Sequence, residues 1–289
     1  MDRHGGVATR RSLISAGISP HALRRAVASE RISSVRQGWY EVPDADPDIV
    51  AAVRVGGALT SISVSAHYGL WALQDDLLHV AVARNASRLR SPGDPRTPLN
   101  HKAHNVCVHW RRPQSAADVA VAPLVAALIH AIECQPEDQA IAIMDSALNK
   151  GLVTLSQLHA AARALPARFS RAIQRCDPLS QSGTESLVRV RLRRLGIRVL
   201  TQFRRPGVGR VDLLVGDRLV IECDSEAFHG DDEGQERDYD RDLVLLDGDF
   251  LVMRLRYRHV VYEWDRIEPI ILGLIRRGRH LNPRHRGSN

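Results

Sequence analysis

The sequence predicts a mixed α/β protein in three parts: an N-terminal winged helix-turn-helix, a middle α/β domain and a C-terminal α/β/α domain. Three observations predict it. Two short helical runs and a Gly-centred hairpin fill the first 45 residues. Apolar strand-like runs then alternate with helical ones through the middle of the chain. Near the C-terminus, a capped helix precedes two apolar runs around Gly216-Asp217. A chain of 289 residues is long enough for two or three domains. The predicted boundaries fall at 1–45, 46–165 and 182–289, with a linker over 166–181.

In the first part, Thr9 caps a helix running through Ala16, and Gly17 ends it. Ser19 caps a second helix with Pro20 at its first position, running to about Ser29. Leu13, Ile14, Leu23 and Val27 supply the apolar contacts. Arg31–Val35 and Trp39–Val42 form strands around Arg36-Gln37-Gly38, a wing. His21, Arg24 and Arg25 decorate the second helix, and Arg36 tips the wing. These residues suit groove and phosphate contact on duplex DNA. The competing reading is a solvated basic face used for protein contact.

Pro43 to Pro47 reads as a turn-rich boundary. Ser63–Leu73 is expected as a helix, Leu78–Ala83 and Asn105–Trp110 as strands, and residues 84–104 as an exposed basic loop. Val121–Cys134, Pro136–Leu148 and Thr154–Ala164 read as helices. His67, His101, His104 and His109 match no metal-ligand spacing, and His67 is expected to pack beside Trp71. Asp145, on an apolar helix, is expected in a buried cap or ion pair. Cys107, Cys134, Cys176 and Cys223 lack CxxC spacing and fit reduced thiols rather than a zinc site or a disulfide framework. Residues 1–165 resemble the AbiEi-type antitoxin family through ATRRSLISAGISPHALRRAV, RQGWY, SAHYGLWAL and NVCVHWRR. The resemblance implies a winged helix that binds duplex DNA as an autoregulator. It also allows a toxin, or another protein, as a second partner.

In the last part, Ser182 or Thr184 caps a helix through Leu195, which Gly196 stops. Leu187, Val188, Leu192 and Leu195 make its apolar stripe, and Glu185 falls on the same side. Val211–Val215 and Leu219–Cys223 form a hairpin carrying Asp212, Glu222 and Asp224. Carboxylates at strand ends in a core need a cationic partner, and Mg²⁺ or Mn²⁺ takes oxygen ligands. Turn parity tests the idea. A two-residue loop would point Asp212 and Glu222 to opposite faces, whereas a three-residue loop, Gly216 to Arg218, pairs them. Beyond the hairpin come an acidic loop (Asp231–Gly234) and a helix (Gln235–Leu246) with Arg237 and Arg241 on one face. A strand (Phe250–Leu255), a final helix (Asp265–Ile275) and a basic, frayed tail complete the chain.

The order of helix Glu, strand Asp, then Glu-x-Asp resembles the PD-(D/E)XK nuclease superfamily, and within it the very-short-patch-repair-like branch. Phe228-His229, Arg237-Asp238, Arg241-Asp242, Leu245, Gly248, Val252 and Arg254 extend the likeness from near Asp177 to the C-terminus. The superfamily's usual lysine is Asp224 here, and the chain's only lysines are Lys102 and Lys150. That branch uses histidine instead, which puts the role on His229. The resemblance implies a restriction-endonuclease-like domain hydrolysing DNA phosphodiester bonds. Asp212, Glu222 and Asp224 would be the metal ligands, His229 the acid/base, and Glu185 the residue that orients the group. Arg237 and Arg241 either meet the phosphate or pair with Asp238 and Asp242. The alternative is a regulator whose nuclease module is degenerate.

The net charge of +7 and pI of about 9.7 favour a polyanionic partner. No apolar run is long enough to span a membrane and the N-terminus lacks a signal-peptide core, so a cytoplasmic protein is expected.

Overall fold

The computed structural model describes residues 5–110, 119–205, 209–224 and 243–282, and for Arg205 and Asp224 the backbone alone. The fold is mixed α/β, with helices and three sheets. It forms two compact units, Met1–Gln135 with Ser156–Leu165, and Pro136–Leu155 with Pro166–Asn289.

The first unit opens on a three-stranded sheet, β1 (Val7–Thr9), β3 (Trp39–Glu41) and β2 (Ser33–Arg36), with β3 in the centre. α1 (Arg10–Ser15) and α2 (Pro20–Ala28) lie between β1 and β2 in the chain. The expected caps are present: Thr9 accepts from the Ser12 amide and Ser19 from the Ala22 amide. Ala8, Leu13 and Leu23 form the small core of the helix pair, closed by Ile32 and Tyr40. Gly38 takes φ +82° in the turn joining β2 to β3, where a Cβ would be strained.

Asp46-Pro47, expected as a boundary turn, starts a buried helix, α3 (Pro47–Val55). Asp46 Oδ1 accepts from the Asp48 and Ile49 amides, and Pro47 occupies the first turn. One apolar cluster runs from Val7 and Val35 of the wing sheet through Ile49, Val53 and Val55 to Leu59, Val80 and Val106. The winged helix therefore shares its core with α3 and the second sheet. That sheet joins β4 (Ala58–Leu59), antiparallel to β5 (Leu78–Val82), with β6 (Val106–Trp110) parallel to β5. The helix expected over 63–73 is shorter. A 3-10 turn over Ser61–Val64 leads into α4 (Ser65–Tyr68), which Gly69 ends at φ +61°. α5 (Leu124–Cys134) closes this part of the unit.

The second unit centres on α9 (Gly183–Arg194), numbered after α6 (Glu137–Asn149), α7 (Leu155–Ala162) and α8 (Ala167–Ile173). α9 packs against both α6 and a four-stranded sheet of order β10-β9-β8-β7. Those strands are β7 (Val199–Arg205), β8 (Gly209–Val215), β9 (Leu219–Asp224) and β10 (Leu251–Arg256). β7 pairs with β8 and β8 with β9 antiparallel, and β10 runs parallel to β9. Residues 243–247 are helical and lead into β10. α10 (Tyr257–Val261) and α11 (Trp264–Arg276) complete the described chain.

The sequence grouping carried α6 with the middle domain, but α6 sits in the unit of α9. Its apolar residues, Ala140 to Met144 and Ala147, are fully buried. Asp145 makes the expected ion pair: its carboxylate receives Arg189 Nη2 and Ser186 Oγ, and both charged side chains are almost completely buried. The Asp177 amide donates to the other oxygen at 2.7 Å, and Arg189 Nη1 donates to the Arg175 carbonyl. The C-terminal tail, expected to be frayed, is tied down as far as Asn282. The His280 carbonyl accepts from the Asp217 and Arg218 amides, and Asp217 Oδ1 accepts from the Asn282 amide. Gly216 stands at this contact. Its φ is +68°, and a Cβ there would lie 2.3 Å from the His280 oxygen.

Removing one partner of a buried ion pair strands the other charge. Asp145→Ala is expected to destabilise the second unit by about 3–5 kcal/mol, measured by urea denaturation, with the double variant Asp145→Leu/Arg189→Met recovering most of the loss.

Candidate functional site

Two sets of predicted residues can be placed. On α2, His21, Arg24 and Arg25 are all exposed, while Leu23 points into the small core. The helix presents its basic face outward at its N-terminal half. Arg36 departs from expectation. It does not tip the wing; its guanidinium turns back under the sheet and donates to the Val53 carbonyl near the end of α3. Burial and the neighbouring Arg90 lower its pKa. The turn residues at the tip are the exposed Gln37 and the half-buried Gly38.

The second set lies where α9 meets the sheet. The β8–β9 ladder pairs Leu213 with Ile221, Leu214 with Val220 and Val215 with Leu219, leaving a loop of Gly216 to Arg218. This is the odd-length loop that the acids require. Extending the register sets Asp212 opposite Glu222 on one face. The ladder stops there, and the Asp212 carboxylate accepts from the Cys223 amide at 2.9 Å. Glu222 reaches the Asp212 amide at 3.4 Å. In the parallel register, Arg254 stands beside Glu222 and Arg256 beside Asp224, and both arginines are exposed.

Glu185, in the first turn of α9, comes to the same place. Ser182, the N-cap, accepts from the Glu185 amide. Glu185 Oε2 accepts from the Gln181 amide at 3.1 Å and from Gln202 Nε2 at 2.7 Å. The same Gln202 amide lies 3.4 Å from Asp212 Oδ1 and so bridges the two acids. Glu185 is 3% exposed. Burial first, and then the charge of Asp212, push its carboxyl up to about 7.

Gln202 has no counterpart in the sequence reading, which did not recognise β7 as a strand. It sits at φ +54°, a left-handed conformation that costs a non-glycine residue free energy. The β7–β8 register is the same on either side of it, Thr201↔Leu213 and Phe203↔Val211, so Gln202 stands across the ladder from Asp212. From there its side chain reaches both acids. Its Oε1 is buried, with no hydrogen-bond partner among the described residues. The β-rich run Val199-Leu-Thr-Gln-Phe203 after Gly196 was the available signal.

The Asp224 side chain, His229, Arg237 and Arg241 lie outside the described residues. Among the described residues, Glu185, Asp212 and Glu222 do not form a threesome with ligand oxygens all within 4.8 Å of one another. The described part of the site is thus a pair of acids bridged by one amide. It does not by itself make a closed cation shell.

Residues 2–43 match the model of the family described as "Transcriptional regulator, AbiEi antitoxin". No curated protein matches the chain. No helix among the described residues is long and apolar enough to cross a membrane.

The Glu185 carboxyl has a folded-state pKa of about 7, above its ordinary 4.5, so the fold binds its proton more tightly than the unfolded chain does. The stability it contributes is complete below about pH 4.5 and is lost as pH rises through about 7. Comparing wild type with Glu185→Gln by urea denaturation at pH 5 and pH 8 is expected to show a steeper fall in the wild type. The difference should be on the order of 2–3 kcal/mol.

Proposed function

We propose that the chain is a DNA-binding transcriptional regulator of the antitoxin type, with α2 as the helix that enters the major groove of duplex DNA. The observation that carries this reading is the coincidence of two things. Residues 2–43 match an antitoxin regulator family, and within them a capped helix exposes His21, Arg24 and Arg25 beside a β-hairpin. A helix-turn-helix uses its second helix in this way, with nearby groups on the phosphates. The positive net charge supplies the sequence-independent part of the affinity. A toxin protein is the second partner this reading implies.

Arg24→Ala/Arg25→Ala keeps a helix-favouring composition while removing two cations. Binding to a duplex from the chain's own promoter, followed by fluorescence anisotropy across a salt series, is expected to weaken. The slope of log K against log salt should shrink by about 1.8. An unchanged slope would sink the assignment of α2 to the DNA.

A second reading is favoured by the register that sets Asp212 opposite Glu222 beside the buried Glu185. On that reading the second unit is a nuclease module of the PD-(D/E)XK kind. Asp212, Glu222 and Asp224 would hold Mg²⁺ or Mn²⁺, and the ion would polarise a scissile phosphate. Glu185 would orient the acids through Gln202, and His229 would carry the proton. Metal-dependent nicking of supercoiled plasmid, lost in Asp212→Ala and in His229→Ala, is the outcome this reading requires. Tight, salt-sensitive duplex binding without cleavage under either metal would leave the acids as structural groups in a regulator.

A further inference from the structure

A cluster of imidazoles and thiols in the first unit answers to neither reading. The β5–β6 register sets His79 beside Cys107 and Ala81 beside His109, so His79, Cys107 and His109 share one face of the sheet. The last turn of α5 brings Cys134 to them. His79 Nδ1 lies 3.0 Å from His109 Nε2 and 3.8 Å from Cys134 Sγ. Cys107 Sγ lies 3.5 Å from His109 Nε2. His79, His109 and Cys134 also form a set whose ligand atoms all fall within 4.8 Å of one another.

We infer that His79 Nδ1, His109 Nε2 and Cys134 Sγ form a binding site for one zinc-class transition-metal ion, with Cys107 beside it. Zinc takes N and S ligands tetrahedrally, and its bond lengths imply edges of about 3.3 Å between nitrogens and about 3.6 Å between nitrogen and sulfur. The separations above bracket those edges. Two imidazoles and a thiolate are also a donor set that selects zinc over the hard cations a carboxylate site prefers.

The surroundings are those of a metal-ligating histidine. His79 Nε2 lies 3.1 Å from both oxygens of Asp75. A carboxylate there fixes the tautomer, leaving the Nδ1 lone pair aimed at the cluster. The Gln135 amide donates to Asp75 in turn. The two imidazoles are buried, and the exposed Cys134 leaves a way in. On binding the metal, Cys134 would give up its proton and ligate as the thiolate. Held by residues of β5, β6 and α5, the ion would tie those three elements together.

The site escapes a sequence scan because its ligands come from two strands and a distant helix, and no two have finger-like spacing. His79 was not among the histidines the sequence singled out, and the scattered cysteines argued against zinc.

The full-length chain, reduced and stripped of metal, is titrated with Zn²⁺ and separately with Co²⁺. One zinc per chain is expected, together with a four-coordinate cobalt spectrum and a near-ultraviolet thiolate charge-transfer band. Cys134→Ser, at an exposed position, should weaken that band and reduce zinc retention while circular dichroism stays unchanged. Asp75→Asn should lower zinc affinity about 10–100-fold. Glu185→Ala/Asp212→Ala should leave the cobalt spectrum as it is. A reduced wild-type chain that retains no zinc and gives only the six-coordinate cobalt spectrum would overturn the inference, whatever the variants do. So would a charge-transfer band that Cys134→Ser leaves untouched.

Discussion

The second unit depends on the burial of α9. A helix enclosed by a sheet and a second helix cannot turn its polar residues to water, so each must find a partner inside. Arg189 finds Asp145 on α6, and the same carboxylate also holds Ser186 and the Asp177 amide. Asp177 then accepts from Thr201 on β7, and Arg193 lies within ion-pair distance of it. One buried charge therefore fixes α6, the segment before α9, and the sheet edge together. Such a network adds little net stability over apolar packing, but breaking it is costly, because each group depends on the others for its desolvation. Glu185 sits one turn before Arg189, so its position beside Asp212 comes from the same anchoring.

Within that frame, the acid pair is a place where the fold accepts unfavourable chemistry. Gln202 adopts a left-handed backbone, and Glu185 keeps its proton to nearly neutral pH. Strain and a raised carboxyl pKa in one spot are what active sites produce, although structural ion networks produce them as well. The Gln202 amide explains how the two acids coexist: it donates to both, and the protonated Glu185 removes one of the two charges. A divalent ion would do the same by charge, drawing Glu185 into its ionised form.

Much of this was legible in the sequence, for particular reasons. Thr9 and Ser19 announced their helices because caps are local chemistry. The pairing of Asp212 with Glu222 came from loop parity, since strand side chains alternate strictly. The features that stayed hidden depend on tertiary structure. α3 looked like the start of a new domain because Asp46-Pro47 is equally at home in a turn and at a helix start; only the shared core of Val35, Ile49 and Val53 decides. Arg36 reads as a wing cation, yet the carbonyl it serves belongs to a helix seventeen residues on. β7 escaped because Val199-Leu-Thr-Gln-Phe-Arg-Arg lacks the clean apolar–polar alternation that marks a strand.

The two clusters of ionisable groups also differ in kind, and that difference constrains function. The second unit gathers carboxylates, hard oxygen donors suited to Mg²⁺ and to phosphate chemistry. The first gathers imidazoles and thiols, soft donors backed by a single orienting carboxylate, Asp75. A regulator needs its helix-turn-helix held at a defined angle, and here α2 belongs to a unit whose core runs without a break from the wing sheet to β5 and β6. A soft ion held between those strands and α5 would stiffen the sheet on which that core rests; on the regulator reading proposed above, it would serve the winged helix by supporting that scaffold.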